Sequence, residues 1–456
     1  MKEQIIEILS VMSSFIYNNL NAIISGIIAT VIGGLVLLRI QNNKKIIIQK
    51  KFASAIKNLD KGYAVRAYKM LAYVLDEGED DIPLSVKAYK VRSKAFIHPK
   101  VNELELALRD AEDAIARDKE DGDAYIIRGR AYSLMNKHDQ AIANFSEAMI
   151  RITTRKEEAY LYRGIEYYIL KEYESANNDL VKAIRLRPEY PEAFFYLGNT
   201  YYGKGKFVYA IKYYNKALKI NPKDVMVLNN CGCAYANILD YDRAMRIYNR
   251  VLKIEPYYPR TIRNRGLLYF NKGNYDRAIA DYNLSFEAEL IYYTKLIKDW
   301  DIEKNEDEDY NGSVKDSSWE GEEINKNAMV LFNLGNAYAK KGDYDRAISY
   351  YTQAIENNPD DNYLLIRILC NRANVYTIKK ELIRAIEDHN AALEKAPGNP
   401  WILNNRGNIY FALGDYDRAI ADYKKAIESD PNDGLAKTNL FHAKKMAEQK
   451  RSEIDY

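Results

Sequence analysis

The chain has 456 residues, 47% hydrophobic and 29% charged, with 67 Lys and Arg against 64 Asp and Glu. A formal charge of +3 supplies no global field for nucleic acid, and the composition suits a large helical array. Three cysteines (Cys231, Cys233, Cys370) fit a reducing compartment better than a disulfide scaffold, and the lack of Cys-x-x-Cys argues against zinc.

Residues 1–19 form a short flank, and Leu20 to Leu38 follow as LNAIISGIIATVIGGLVLL, nineteen residues without a charge. At about 1.5 Å per residue they reach roughly 28 Å, the thickness of a bilayer core. A cleaved signal peptide would want a basic start and a shorter apolar run. Here Lys2 is offset by Glu3 and Glu7, so a retained transmembrane helix is the expectation over a signal peptide or a buried core helix. Basic residues follow the run at Arg39, Lys44, Lys45, Lys50 and Lys51. The positive-inside rule then puts the rest of the chain in the cytoplasm, as in a single-pass protein of a bacterial inner membrane. The same lysines (Lys44, Lys45, Lys50, Lys51) suit contact with anionic lipid as well as they suit a plain stop-transfer flank. Ser25, Ala29 and Gly33, like Gly26, Thr30 and Gly34, are spaced by four. Such small-residue stripes fit a homodimer through this helix, although glycine is common in membrane helices in any case.

Residues 39–85 read as a basic juxtamembrane segment with a worn first repeat near 48–81. Beyond them a fixed period takes over. Gly164, Gly198, Gly232 and Gly266 are 34 residues apart, and each precedes by three a tyrosine: Tyr167, Tyr201, Tyr235 and Tyr269. Nine residues after each tyrosine stands an alanine (Ala176, Ala210, Ala244, Ala278), and Pro188, Pro222 and Pro256 close the first three units. In PEAFFYLGNTYYGKGKFVYAIKYYNKAL, from Pro191 to Leu218, apolar residues recur every three or four places on either side of Gly205. That is a helix, a turn and a second helix, with Gly198 leaving room for the second to come close. One hairpin has too little apolar surface to stand alone, so neighbours must stack.

These marks resemble the tetratricopeptide repeat. They recur at 122–156 (Gly129, Tyr132, Ala141), 328–361 (Gly335, Tyr338, Ala347, Pro359) and 400–433 (Gly407, Tyr410, Ala419, Pro431). The unit 366–399 keeps Tyr376, Ala385 and Pro397 but has Ala373 for the glycine, and 86–121 is looser, with about two extra residues in its turn. The resemblance implies an all-α, right-handed superhelical solenoid of helical hairpins, preceded here by one transmembrane helix. About six repeats are expected over 86–288 and three over 328–433, followed by a capping helix and tail over 434–456. Between the two arrays, 289–327 is an acidic insertion or a decayed repeat. The second helix of the 259–288 unit is expected to run on to about Trp300, and 301–327 then carries ten acidic residues against three lysines, a solvated loop.

Laid over this register, the residue before the marker is arginine in six units: Arg92, Arg128, Arg163, Arg265, Arg372 and Arg406. Three residues after the marker alanine the same units hold Asp110, Asn144, Asp179, Asp281, Asp388 and Asp422. Units with Leu197, Cys231 or Leu334 instead hold Tyr213, Ile247 or Tyr350. The two places switch together, which predicts structural pairs within hairpins and not a catalytic or anion site.

Two residues before the marker lie Asn230, Asn264, Asn333, Asn371 and Asn405, and one after it lie Asn199, Asn336, Asn374 and Asn408. The resemblance implies that the first helix lines a concave groove, where side-chain amides can bond the backbone of an extended peptide. The row is similar to the asparagine ladder of O-linked N-acetylglucosamine transferases, whose transferase domain has no counterpart in this sequence. Tyr162, Phe195 and Tyr196, with Tyr202, suggest a more apolar earlier half of the groove. No phosphate loop, His-Glu-x-x-His run or Ser–His–Asp set is visible, so no enzyme, metal or cofactor is expected. The reading is a membrane-anchored scaffold that binds extended segments of partner proteins. The alternative is a structural subunit of a membrane-associated assembly or secretion complex using repeat-to-repeat contacts.

Overall fold

The computed structural model describes residues 31–77, 81–98, 101–304, 320–357 and 361–454. These form 21 helices, with no strand among the described residues, and fall into two compact units, up to Gly205 and from Lys206. The first unit holds α1 (Val31–Asp60), α2 (Ala64–Glu77), α3 (Ile82–Ile97), α4 (Leu104–Arg117), α5 (Gly122–Leu134), α6 (His138–Ile150), α7 (Lys156–Ile169), α8 (Tyr173–Leu186) and α9 (Pro191–Gly203). The second holds α10 (Phe207–Ile220), α11 (Val225–Asn237), α12 (Tyr241–Ile254), α13 (Pro259–Asn271), α14 (Tyr275–Lys304), α15 (Glu320–Lys341) and α16 (Tyr344–Glu356). It continues with α17 (Asn362–Ile378), α18 (Leu382–Lys395), α19 (Pro400–Ala412), α20 (Tyr416–Ser429) and α21 (Gly434–Ile454). Within each unit consecutive helices pack antiparallel in hairpins, and each hairpin packs on the next.

Of the expected transmembrane span, residues 20–30 lie outside the described residues, and 31–38 form the start of α1. Among the described residues no helix is long and apolar enough to cross a membrane. Helix α1 continues unbroken to Asp60 and packs on α2, with Ile48, Ala55, Leu71, Val74 and Leu75 in a shared core. The basic flank is largely engaged by this hairpin. Lys44 pairs with Glu77 at 2.8 Å, Lys45 lies 3.7 Å from Asp81, and the Lys51 ammonium sits 3.3 Å above the Tyr73 ring. Lys50 remains exposed.

The local grammar of a hairpin is clearest at its turn. Two residues beyond α19 stands Gly414, with φ of +73°, whose N–H bonds to the Phe411 carbonyl while the Asp415 N–H reaches back to Tyr410. Glycine takes this left-handed state without a steric penalty. Asp415 then caps α20, its Oδ1 accepting from the Arg418 N–H at 3.1 Å. Asp240, Asn274 and Asp343 cap α12, α14 and α16 in the same way, each cap contributing about 1 kcal/mol. Other turns place a residue with a side chain in this left-handed state: Asn102, Asn136, Lys171, Leu239 and Lys380, of which Lys171, Leu239 and Lys380 have φ of +63°, +62° and +64° and bear a cost of roughly 1–2 kcal/mol each.

The marker glycines seat a side chain from the second helix, sixteen residues on. A β-carbon added at Gly407 would lie 2.6 Å from the Tyr423 ring; at Gly266, 2.8 Å from Tyr282; at Gly129, 2.6 Å from Phe145; at Gly164, 2.9 Å from Leu180. These positions are among the most buried in the chain, with Tyr282, Tyr351 and Tyr423 each 1% exposed. Where the marker is larger, the facing residue is smaller. Ala373 is followed sixteen residues on by His389, and Ser93 by Ala111 at eighteen, its turn being two residues longer. Ser93 spends its hydroxyl on the Ala107 carbonyl at 2.6 Å. Small residue and ring thus trade volume across the hairpin, as a close-packed interior requires.

Two elements differ from the sequence expectation. Helix α14 runs to Lys304, and α15 begins at Glu320, so helix occupies both ends of the stretch expected as loop over 301–327; residues 305–319 lie outside the described residues. No proline or glycine interrupts 275–304, and Glu320, Glu322 and Glu323 favour a helix N-terminus. Helix α17 begins at Asn362, capped by Asp361, and is seventeen residues long against thirteen for α19.

The ring seat yields a test. Gly407→Ala should destabilise the chain by about 1–3 kcal/mol through overpacking against Tyr423. Adding Tyr423→His should recover most of it, by analogy with Ala373 and His389. Urea unfolding of the two variants reads this, and equal loss in both would reject the volume exchange.

Candidate functional site

The first helices of successive hairpins lie side by side in each unit: α3, α5, α7 and α9 in the first, and α11, α13, α15, α17, α19 and α21 in the second. Any residue at a fixed place relative to the marker therefore meets its counterpart one repeat away. Two kinds of polar contact use this arrangement, one inside hairpins and one between them.

Inside hairpins, Arg406 donates from Nε and Nη2 to the two oxygens of Asp422 at 2.8 and 2.7 Å. Arg372 and Asp388 (2.8 and 2.6 Å), Arg265 and Asp281 (2.8 and 2.7 Å), and Arg92 and Asp110 (2.8 and 2.7 Å) repeat the fork. Arg163 and Asp179 are joined at 2.6 and 3.1 Å, and Arg128 donates to the Asn144 Oδ1 at 2.7 Å. The carboxylates are buried while the guanidinium edges reach solvent. Burial pushes the Asp388 and Asp110 carboxyls up, and the facing guanidinium opposes it. Each fork satisfies itself and fixes the register of its two helices; removing one partner of such a pair costs about 3–5 kcal/mol when the other is left buried. Beyond the fork, the Nη1 of Arg163, Arg265, Arg372 and Arg406 donates to Ser146, Asn249, Thr352 and Asn390 of the preceding repeat.

Between hairpins, the amides divide their bonds. Asn264 donates its Nδ2 to Asn229 Oδ1 at 3.0 Å and to Cys233 Sγ at 3.2 Å; Asn371 donates to Asn336 Oδ1 at 2.8 Å. Asn439, in α21, donates to both Asn404 and Asn408 at 3.0 Å. The second helix joins in: Tyr351 and Tyr423 donate their hydroxyls to Asn336 and Asn408, each at 2.8 Å, and Tyr248 reaches Cys233 Sγ at 3.5 Å. So the ring that fills the glycine seat ends on the amide one residue beyond the glycine. Asn230 accepts from Asn229 at 3.2 Å. Asn229, Asn404 and Asn439 were absent from the sequence-derived row, although Asn229 and Asn404 stand at one common place, three before the marker.

The remaining groove candidates are distributed as follows. Asn333 and Asn405 are half-buried and Asn374 is exposed, while Asn199 and Phe195 are buried at 8% and 9% exposure. Tyr162 stacks on Phe145 with centroids 5.8 Å apart, and Tyr196 meets Tyr168 and Phe195 edge-on at 6.1 and 5.2 Å. Burial pushes the Tyr162 and Tyr196 hydroxyls up, so both stay neutral. Cys231 and Cys370 are buried thiols pushed up to about 12 by desolvation, which removes them as nucleophiles.

A further ladder, invisible to the groove argument, runs along the turn edge. Lys272 bonds Asp242 at 3.0 Å, Lys341 bonds Asp276 and Lys379 bonds Asp345 at 2.5 Å each, and Arg451 bonds Asp417 at 2.9 Å. Each cation ends a first helix and each aspartate opens the preceding second helix, an arrangement both helix dipoles favour. Being exposed, each pair is screened by solvent and contributes little.

Family models described as tetratricopeptide repeat match residues 191–224, 328–361 and 400–433, and 122–149 with 264–290; a related repeat model matches 164–205. The chain is a tetratricopeptide-repeat protein. Among solved structures, a tetratricopeptide repeat protein from Parabacteroides merdae is 21% identical over 63% of this chain and 98% of its own, with a TM-score of 0.43. Pseudomonas aeruginosa pilF is 16% identical over 48% and 96%, TM-score 0.40. YrrB, titled a TPR protein with an unusual peptide-binding site, is 20% identical over 43% and 97%, TM-score 0.35. Likeness at this level concerns the fold alone.

One tetratricopeptide repeat carries a histidine in the ring seat. His389 is fully buried, neither ring nitrogen has a hydrogen-bond partner, and desolvation, with Arg406 nearby, pushes its pKa down to about 4. The unfolded chain takes up this proton near pH 6.5. The folded chain refuses it until about 4, so stability is full above 6.5 and falls as pH drops toward 4, by up to about 3 kcal/mol. Replacing the pair with the one used elsewhere, Ala373→Gly with His389→Tyr, should flatten unfolding free energy across that window. An unchanged pH slope between 6.5 and 4 would show that His389 is not the group titrating.

Proposed function

We propose that this chain is a non-catalytic, membrane-tethered scaffold whose aligned first helices dock extended peptide segments of partner proteins. The observation that carries the reading is the amide capacity left over after stacking. Asn336 gives its oxygen to Tyr351 and Asn371 but keeps its two amide hydrogens, and Asn371 keeps its oxygen. Asn374 lies exposed on the same helix as Asn371. Such groups bond a peptide backbone whatever its side chains, which suits a binder tolerant of sequence. The tether is supported by the uncharged run 20–38, and the basic residues after it favour, by the positive-inside rule, a cytoplasmic side for the repeats.

The amides separate into two classes that mutation can tell apart. Asn333→Ala, Asn374→Ala and Asn405→Ala together should weaken binding to an array of extended peptides several-fold, with little change in melting temperature. Asn371→Ala should instead lower stability, by about 1 kcal/mol for its lost bond to Asn336. Peptide binding by the triple variant equal to wild type would remove the amide row from the reading. For placement, single cysteines on exposed repeat positions should react with a membrane-impermeant maleimide only after the membrane is opened; labelling of intact cells would reverse the orientation.

A further inference from the structure

The outer face of two adjacent hairpins in the second unit concentrates charge that the later hairpins lack. First helices touch their counterparts one repeat away, whereas among the described residues second helices make no comparable contact, so second helices form the outer layer. On α10 the exposed side chains include Lys212, Lys216 and Lys219; on α12 they include Arg246, Arg250 and Lys253. Spacing by four and then three puts each trio along one helix face, and the trios are 34 residues apart place for place. In the later second helices the third place is glutamate (Glu287, Glu356, Glu394, Glu428), and only Lys425 is basic at the other two. The six cations are therefore confined to two neighbouring repeats.

Little on these helices neutralises them. Helix α10 has no acidic residue, and the lone acid of α12, Asp242, bonds Lys272 at 3.0 Å. Lys212 and Lys216 lie over the Tyr213 ring, 6.0 and 5.4 Å from its centroid, which orders both without cancelling their charge. Arg250 donates from Nη2 to the Pro222 carbonyl at 2.6 Å. That bond ties the α12 row to the turn after α10, where Lys223 is also exposed, so the two rows form one surface.

Each row also ends in exposed carbon. Val208, 67% exposed, lies one turn before Lys212 beside the exposed Tyr209, and the exposed Ile254 lies one turn beyond Arg250. Cations set among protruding aliphatic and aromatic groups on an outward face match a lipid headgroup layer, whose phosphates take the charge and whose acyl boundary takes the carbon. A nucleic acid would use the cations and leave Val208 and Ile254 in water.

We propose that the outer faces of α10 and α12 dock on an anionic lipid bilayer surface. This contact goes beyond peptide docking and does not depend on the uncharged run 20–38. It turns the first helices, with their amides, away from the bilayer and leaves them open to partner segments.

The test loads the full-length chain into phosphatidylcholine nanodiscs, which occupies the run 20–38, and mixes it with sedimenting vesicles of phosphatidylcholine alone or with phosphatidylserine; a chain that stays out of nanodiscs is mixed directly. At low salt it should bind the phosphatidylserine vesicles at least about tenfold tighter than the neutral ones, and rising salt should close the gap. Reversing four cations together (Lys212→Glu, Lys216→Glu, Arg246→Glu, Lys253→Glu) should remove most of the preference. An equal change of charge elsewhere (Lys424→Glu, Lys425→Glu, Lys444→Glu, Lys445→Glu) should leave it. Val208→Ser with Tyr209→Ser should weaken vesicle binding several-fold at unchanged salt dependence; melting curves confirm that each variant folds. Equal binding to both vesicles, or equal loss in the two charge-reversed variants, would overturn the docking face whether or not the chain enters nanodiscs. A single-stranded RNA that displaces the vesicles and binds the Val208→Ser, Tyr209→Ser variant as well as wild type would also overturn it, in favour of nucleic acid.

Discussion

How near the two helices of a hairpin can come is set by one small residue facing one large one, and the rest of the architecture depends on that distance. Gly407 under Tyr423 and Gly266 under Tyr282 leave no room for a single added carbon. A ring seated this way is removed from water almost entirely, and burying so large a side chain contributes about 1.5–3 kcal/mol before any specific contact is considered. No hairpin has enough such surface for independence, so the seat matters twice. It closes the hairpin, and it aims the tyrosine hydroxyl at the amide that joins this hairpin to the next.

That coupling explains why the polar residues sit where they do. A phenol buried at the centre of a hairpin needs a partner for its hydroxyl. Asn336 and Asn408 provide it, and the same oxygens receive an amide from the following repeat at Asn371 and Asn439. In the hairpin of α11 and α12 a thiol substitutes, Cys233 taking contacts from both Tyr248 and Asn264. The Arg–Asp forks act within one hairpin and oppose sliding of one helix against the other. Stacking and closure are thus served by different residues that occupy adjacent places on the same helix.

The fold was legible because a period of 34 is a covalent fact, and small, aromatic, small and proline marks each report a local constraint. Sequence also placed Arg406 sixteen residues from Asp422, a separation that a hairpin turns into contact. The site was less legible. An asparagine on a first helix reads the same whether it meets a peptide or the neighbouring repeat, because both uses need the same face. Asn264 and Asn371 face the neighbour, and Asn199 and Phe195 are buried, none of which periodicity alone distinguishes. The exchange of Gly with Tyr for Ala with His at positions 373 and 389 was present in the register, but only the seat geometry gives it a meaning. At the acidic stretch, charge count argued for loop, whereas the ends of α14 and α15 are governed by helix continuation and by acids at a helix N-terminus.

A scaffold of this kind must reconcile a satisfied interior with an unsatisfied binding face. The second unit does so by sharing: Asn336, Asn371, Asn408 and Asn439 each have one end in the stack and one end to spare, whereas Asn229 uses both, so the capacity for a ligand is modest and general. In the first unit the acids Asp121, Asp123 and Glu158 are tied to Lys90, Thr153 and Arg155. Charge acts over a Debye length and discriminates by sign, whereas amides act only on contact and discriminate little. The specificity of such a protein then lies in the few places where stacking has not consumed the polar groups.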